Sequence, residues 1–174
     1  MAANTQTIEI RSKVTFQRPI TMNTQSDESC RFLDHFQDMD RDALIALARK
    51  EKYFHNMRIA GIDTGSWVYE DKLPQNYHLF PTFQYLNELQ LDGTVCLDIG
   101  TFDGMGAFSL AARGAARVDA TCQYDLDRFR IARALLGLRN IAYYPKTDLE
   151  LIRTKFPAAQ YDLVVMTAML HQLL

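Results

Sequence analysis

The 174-residue sequence has few of the residues that build metal centres and disulfide frameworks. Its three cysteines, at positions 30, 96 and 122, lie too far apart for a CxxC metal or redox pair. An odd number of cysteines also argues against a closed disulfide framework, so reduced thiols are expected. The four histidines, at positions 35, 55, 78 and 171, show no ligand spacing, which predicts that there is no dedicated metal site.

Long apolar runs and an excess of one charge are absent as well. No run approaches the roughly 20 residues that a membrane helix needs, and the first residues lack the apolar stretch of a secretory signal. A cytoplasmic protein with no membrane partner is therefore expected. The 19 basic and 21 acidic residues give a net charge of -2, so no overall positive field exists to hold nucleic acid. The hydrophobic share of 48% is that of a folded globular protein, and the length suits one domain.

The first half of the chain differs in character from the second. Residues 1–28 are polar without a sustained period, which predicts a flexible N-terminal arm. Residues 29–93 are interpreted as a helical and aromatic-rich, lid-like segment. It should contain a helix over residues 38–52, an aromatic loop over 53–81 and a second helix over about 83–89. The aromatic side chains would serve either as a lid or as a simple packing cluster.

From residue 94 onward, short apolar runs alternate with segments of helical period. The predicted strands are Thr94–Ile99, Arg117–Thr121, Ile141–Tyr144 and Tyr161–Met166. The predicted helices are Gly104–Arg113, Asp127–Leu136 and Asp148–Phe156, with Asp127 capping the second of them and Gly137 ending it. Such alternation is typical of an open α/β sheet of parallel strands, which binds ligands at the carboxyl ends of its strands.

The most informative segment is a strand that leads directly into a glycine-punctuated turn and then a helix. Gly100 and Gly104 allow a tight turn and a close approach to a ligand. A dinucleotide fingerprint would require glycines where Phe102 and Met105 stand, and the Gly-Lys-Ser/Thr of a P-loop is missing. Asp98, before the turn, would repel a phosphate and attract an ammonium group, so a cationic or zwitterionic ligand is expected.

The pattern Asp98-x-Gly100-x-x-x-Gly104 after an apolar strand resembles the first motif of class I S-adenosylmethionine-dependent methyltransferases. The resemblance continues in order over residues 94–174 and implies a Rossmann-like, mainly parallel sheet with helices on both faces. Upstream, residues 53–55 and 61–67 look similar to methyltransferases of the group related to the tRNA wobble-uridine carboxymethyltransferase. The implied function is methyl transfer from S-adenosyl-L-methionine to a small-molecule or RNA acceptor.

The resemblance also implies where the cofactor would bind. Gly100 and the amides of residues 101–104 would hold its amino-acid moiety, and Asp148 with Leu149 would flank the adenine. The implied cofactor-binding residues are Asp98, Gly100, Thr101, Phe102, Asp103, Gly104, Cys122, Gln123, Asp148 and Leu149.

One position departs from the family pattern. Most members end the second strand in an acidic residue that chelates both ribose hydroxyls, whereas this chain has Cys122, and a thiol is a poor acceptor. Gln123 or Asp125 would have to substitute for it. If neither reaches the ribose, cofactor binding would be weak or lost.

Several of these residues also have ordinary structural interpretations. Asp98 would then accept local amide bonds, Asp148 would cap its helix, and the cysteines at positions 96 and 122 would be buried small hydrophobes. Methyl transfer needs few catalytic side chains, since the leaving group is already activated. The catalytic residues are therefore unknown, and His171 and His55 are candidate bases only if the acceptor must be deprotonated.

Three functional hypotheses stay open at this point. The first is the methyltransferase, the second is a catalytically degenerate methyltransferase-like binding or scaffold protein, and the third is a nucleotide-dependent oxidoreductase. Phe102 and Met105 disfavour the oxidoreductase. A small-molecule acceptor is favoured over RNA, because the arginines at positions 128, 130, 133 and 139 are more typical of a solvated helix face.

The sequence ends soon after the fourth predicted strand. A complete domain of the resembled family would place about three more strands after it, so a sheet truncated after the fourth strand is expected. Its open apolar edge would comprise Val164, Val165, Met166, Met169 and Leu170. We therefore expect a fragment, or part of a split or self-associating protein, that is a poor catalyst without a C-terminal segment.

Overall fold

The computed structural model describes residues 34–64 and 80–167. The helices are α1 (Arg41–Ala48), α2 (Phe80–Glu88), α3 (Met105–Ala112), α4 (Asp127–Leu136) and α5 (Leu149–Lys155). The strands are β1 (Arg58–Ile59), β2 (Ile62–Asp63), β3 (Val95–Ile99), β4 (Arg117–Thr121), β5 (Ile141–Tyr144) and β6 (Leu163–Met166). The predicted N-terminal arm lies outside the described residues. Within them, no helix has the length and apolar character of a membrane span.

Four strands form one parallel sheet in the order β5-β4-β3-β6. The central strand β3 pairs with β4 on one side and β6 on the other, and Asp98 lies opposite Ala120 and Val165. The chain steps outward from β3 to β4 to β5 and then returns to the far side of β3. This is the order of the first four strands of a Rossmann sheet, so the predicted parallel α/β fold is confirmed.

The two faces of the sheet pack against two separate cores. On one face, alternate strand residues such as Cys96, Val118 and Ile141 pack with Phe108 of α3 and Phe129 of α4 in the larger core. The smaller core, on the other face, consists of Leu97, Ile99, Ala142, Tyr144 and Phe156, with Ile152 of α5 beside it. Helices therefore cover both faces, and the carboxyl ends of the strands lie between them.

Residues 34–64 and α2 belong to the larger core. Leu44 of α1, Met57 and Ile59 are buried there, and α1 packs along α4. Asp34 accepts a 2.6 Å hydrogen bond from Nη2 of Arg133, an arginine of α4 that is only 1% exposed. The described part of the predicted lid-like segment therefore packs into the larger core.

Two predictions about helix starts are wrong. Helix α1 is shorter than the predicted 38–52, because Asp40 caps it by accepting the N–H groups of Asp42 and Ala43. Asp127 does not cap α4: it lies in the first turn, and Leu126 holds the cap position without a side-chain hydrogen bond. Gly137 ends α4 in the left-handed conformation, as predicted.

The predicted aromatic loop over residues 53–81 contains regular structure at both ends. Strands β1 and β2 form an antiparallel hairpin, closed by Ala60 and Gly61 with φ of 51° and 85°. Pro81 lies in the first turn of α2, where a missing N–H is tolerated. Residues 65–79 of the predicted loop lie outside the described residues.

Strand β6 lies at one end of the sheet. Among the described strands it pairs only with β3. Val165 is buried, whereas Val164 and Met166 are 42% and 39% exposed on the side that faces away from the larger core. Met169 and Leu170 lie outside the described residues, and self-association of the chain stays a prediction.

Candidate cofactor site at the carboxyl ends of the strands

A cavity of about 450 Å³ lies at the carboxyl ends of β3, β4 and β5. Open parallel sheets bind their ligands in this place. Its lining consists of Gly100, Thr121, Cys122, Gln123, Thr147, Asp148, Leu149, Glu150 and Ile152. Five of the sequence-predicted cofactor residues thus border one cavity, and the other five lie in or just before the loop that begins at Gly100.

The glycine loop (residues 100–104) is held by its own backbone hydrogen bonds. The N–H groups of Gly100 and Thr101 both donate to the carbonyl of Thr121, at 3.0 and 2.9 Å. The N–H of Gly104 donates to the carbonyl of Thr101 at 2.9 Å. Several amides that were expected to cradle a ligand therefore already donate within the protein. The first N–H groups of α3 have no partner within their own helix, as at any helix start.

Asp98 brings a buried carboxylate under this loop. The residue is 1% exposed, and its Oδ2 has no hydrogen-bond partner among the described residues. Burial raises the pKa of Asp98 to about 6. The Thr101 hydroxyl, the Ala107 N–H and the charge of His55 act in the opposite direction, but neither Thr101 nor Ala107 forms a well-aligned hydrogen bond with Oδ2. Burying an ionised carboxylate without a partner is costly, so Asp98 is a group that a cationic ligand could satisfy.

Helix α3 approaches this carboxylate very closely. A Cβ atom on Gly106 would lie 2.7 Å from Oδ2 of Asp98, so the approach requires glycine at position 106. The first turn of the helix therefore places its amides beside the carboxylate. The hydroxyl of Thr101, which is also buried without a partner among the described residues, lies in the same part of the loop.

Asp103 binds the upstream part of the chain. Its Oδ2 accepts the N–H groups of Phe54 and His55, at 2.6 and 2.9 Å, and its Oδ1 pairs with Nδ1 of His55. Neither Asp103 nor His55 lines the cavity. The sequence singled out both residues but could not pair them, because 48 positions separate them. The other candidate base, His171, lies outside the described residues, so its role stays a prediction.

The thiol of Cys122 is turned towards protein groups. Cys122 is 2% exposed, and burial raises the pKa of its thiol. The N–H groups of Tyr124 and Phe102 and the hydroxyl of Tyr143 surround the sulfur. Cys96 is buried as well, in agreement with the interpretation of both cysteines as small hydrophobes.

The two candidate substitutes for an acidic ribose ligand lie in different places. Gln123 lines the cavity. Asp125 does not: its carboxylate pairs with Arg130 at 2.5 Å and with Lys146 at 3.7 Å. Of the two, Gln123 is therefore the one that can meet a ligand.

The opposite wall of the cavity is the start of α5. Asp148 caps this helix by accepting the N–H of Leu151 at 2.8 Å, and it borders the cavity at the same time. Four residues that the sequence did not single out also line the cavity: Thr121, Thr147, and on α5 Glu150 and Ile152 beside Leu149. The sequence did offer a signal for Glu150 and Ile152. They follow the predicted helix start at Asp148 by two and four positions, which places them near the first turn of the helix.

The arginines of α4 are mostly engaged within the chain. Arg133 binds Asp34, Arg130 pairs with Asp125, and the Arg128 guanidinium lies 4.7 Å from the ring centroid of Phe102. Of the four arginines considered for RNA, Arg139 is exposed to solvent. In the part of the chain that the structure describes, no group of three or more His, Cys, Asp or Glu could hold a metal ion.

Comparisons with known proteins show a structural likeness but no sequence relative. No protein-family profile and no curated protein sequence matches this chain. Among solved structures it is similar to a proposed RNA methyltransferase from Pyrococcus horikoshii, with a TM-score of 0.39 and 20% sequence identity. The match covers 74% of this chain and 57% of that one, so this chain spans a little over half of that structure. The Rossmann-like fold itself follows from the strand order and crossovers described above.

Proposed function

We propose that this chain binds S-adenosyl-L-methionine and transfers its methyl group to an acceptor. The observation that carries this proposal is the buried carboxylate of Asp98, whose Oδ2 lacks a partner beneath the glycine loop. A cationic group would satisfy this oxygen, whereas a pyrophosphate would be repelled by it. The same charge therefore disfavours the nucleotide-dependent oxidoreductase.

The residues around the cavity suit the parts of this cofactor. Gly100 and the start of α3 would hold the amino-acid moiety, and the Gln123 amide would hydrogen-bond the ribose. Leu149 and Ile152 supply apolar surface for the adenine. The volume of about 450 Å³ lies within the range of roughly 300–1,000 Å³ of small-molecule sites. When bound, the cofactor supplies a methyl group on a positively charged sulfur. The protein then has to orient the acceptor and exclude water.

As acceptor we propose a small molecule rather than RNA. The three arginines of α4, at positions 128, 130 and 133, are engaged within the chain, and the net charge is -2. Asp148 and Glu150 add negative charge to the cavity, which opposes the approach of a phosphate backbone. We also propose a cytoplasmic location, because the buried thiols of Cys96 and Cys122 are unpaired, as is usual in a reducing compartment.

One observation favours a second candidate function, a cofactor-binding scaffold without transfer activity. The residue after β4 is Cys122, whose thiol lies beside Tyr124 and Tyr143, and it offers the ribose no carboxylate. If the chain is such a scaffold, the Gln123 amide binds the ribose too weakly to replace the missing carboxylate. Binding in the millimolar range that is insensitive to Gln123→Ala would favour the scaffold.

Calorimetry on the full chain tests the proposal. At pH 8, S-adenosylmethionine and S-adenosylhomocysteine are expected to bind and NAD is not. Asp98→Asn should weaken the binding of both by roughly 10- to 100-fold, because a hydrogen bond to a charged group is worth about 1.5–3 kcal/mol. Asp63→Asn, the same change on an exposed carboxylate of β2, should leave affinity unaltered. Unchanged binding in Asp98→Asn, or preferential binding of NAD, would contradict the proposal.

A further inference from the structure

The glycine loop is held by a contact that comes from outside the sheet. Both carboxylate oxygens of Asp103, which is 0% exposed, bind donors of Phe54 and His55. Asp103 lies between Phe102 and Gly104, whose φ angles are 52° and 98°. A phenylalanine in the left-handed region is strained, so neighbouring contacts must hold it there. The contact with Asp103 thus acts at the most strained point of the loop.

Side chains reinforce this contact. The rings of Phe54 and Phe102 meet edge to face at 5.3 Å, and the Arg128 guanidinium covers the Phe102 ring. Tyr53 donates from its hydroxyl to the carbonyl of Arg128 at 3.4 Å. Three consecutive residues, 53–55, therefore contact the loop or the start of α4, and Phe54 packs directly on the side chain of Phe102.

Residues 53–64, here called the upstream segment, form a small unit with hydrogen bonds of its own. Thr64 Oγ1 accepts the N–H of Met57 at 2.8 Å and donates to the carbonyl of His55 at 2.9 Å. The buried side chains of Met57 and Ile59 fix this unit on the larger core. None of its residues lines the cavity.

We propose that Asp103 is a positioning residue through which the upstream segment sets the conformation of the glycine loop and so the ligand affinity of the cavity. If the segment leaves, the Asp103 carboxylate loses all three of these donors, and the loop loses the contact that holds its strained residues, so loop and segment open together. Coupling between sites is reciprocal, so a ligand held by the loop also stabilises the segment. This last step rests on the proposed function, since the ligand is the proposed cofactor.

Hydrogen exchange on the ligand-free full chain tests the coupling itself. Asp103→Asn should speed exchange about tenfold in both residues 53–64 and 100–108 while β4 and β5 keep their rates. His55→Asn keeps a donor at the position of Nδ1 and should retain near-normal rates, whereas His55→Leu should speed both regions. Asp63→Asn, which removes an exposed carboxylate from the same segment, is the matched control. Faster exchange in residues 53–64 alone would overturn the proposal.

A second measurement separates positioning from mere packing. In the wild type, S-adenosylhomocysteine should slow exchange in residues 53–64, although none of them lines the cavity. In Asp103→Asn its affinity should fall about tenfold and this remote protection should disappear. Full protection and affinity in Asp103→Asn would refute the inference. If the wild type does not bind the compound at all, the proposed function fails, and the ligand-free exchange still decides whether Asp103 couples the two regions.

Discussion

The buried carboxylate of Asp98 is proposed to favour ligand binding, and its charge lowers the stability of the ligand-free protein. Its pKa is about 6 in the folded protein, against an ordinary value of 3.8, because burial disfavours the charged form. Between these two values the folded state binds a proton that the unfolded state releases. The stability contributed by this residue is therefore highest below pH 4, falls as the pH rises to about 6, and stays low at neutral pH.

Asp98→Asn should accordingly stabilise the ligand-free protein at pH 8. The amide has the same shape without the charge, and the gain should be of the order of 1–3 kcal/mol. At pH 4, where the native carboxyl group is protonated, the difference between variant and wild type should vanish. Urea unfolding of both proteins from pH 4 to 8 measures this.

The matched control is another buried carboxylate that does have partners. Asp119 binds Arg117 at 2.8 Å and accepts the Tyr161 hydroxyl at 2.7 Å. Asp119→Asn should therefore destabilise the protein at pH 8, whereas Asp98→Asn should stabilise it. A stability gain of Asp98→Asn that is independent of pH would show that charge burial is not its cause.

The sequence was sufficient to identify residues whose role depends on near neighbours. Asp98, Gly100 and Gly104 follow one strand directly, so their place at its carboxyl end could be predicted from local order. The pairing of Asp103 with His55 could not, because it depends on how a distant hairpin packs on the loop. The direction of the Cys122 thiol likewise depends on tertiary contacts.

At the scale of elements, strongly patterned segments were predictable and capping details were not. The bounds of β4, α4 and β5 agree with the sequence prediction, since each segment is apolar on at least one face and lies near a glycine, proline or acidic residue. Helix α1 starts late because the Asp40 carboxylate competes for its first amides. The hairpin β1-β2 was missed because its strands have only two residues each, too few to show alternation.

The turn of this hairpin offers a test at the same scale. Ala60 has φ of 51° and precedes Gly61 with φ of 85°, the pattern of a turn that favours Asn-Gly. Ala60→Asn should stabilise the protein by about 0.5–1 kcal/mol, since asparagine tolerates the left-handed region better than alanine does. The shift of the urea midpoint measures it.

The same substitution in a helix gives the control for this turn. Ala46 is exposed within α1, and Ala46→Asn should lower stability by about 0.5 kcal/mol because asparagine is a poorer helix former. Equal effects at the two positions would mean that the turn conformation does not select the residue at position 60.

At the scale of the whole molecule, the described residues pack as one body around the sheet. Division of the sequence into a lid-like segment and a cofactor domain followed from the change in pattern near residue 94. The structure joins the two parts through Leu44, Met57 and Ile59 in the larger core. The sequence could not show this, because apolar periodicity identifies a buried face without identifying its partner.

Substitutions of Asp34 and Arg133 test whether the upstream residues and the sheet unfold together. Arg133 is 1% exposed and bonds Asp34 through Nη2 and the Ile141 carbonyl through Nη1. Asp34→Asn removes the carboxylate that pairs with this buried guanidinium, which should cost about 3 kcal/mol. In Asp34→Asn combined with Arg133→Met, neither charge remains, so part of that stability should return.

Circular dichroism and tyrosine fluorescence should report one shared transition for all these proteins, because segment and sheet have one core. Two separate transitions would show that the segment folds as its own unit, and a change below about 0.5 kcal/mol would show that the pair contributes no more than a surface ion pair.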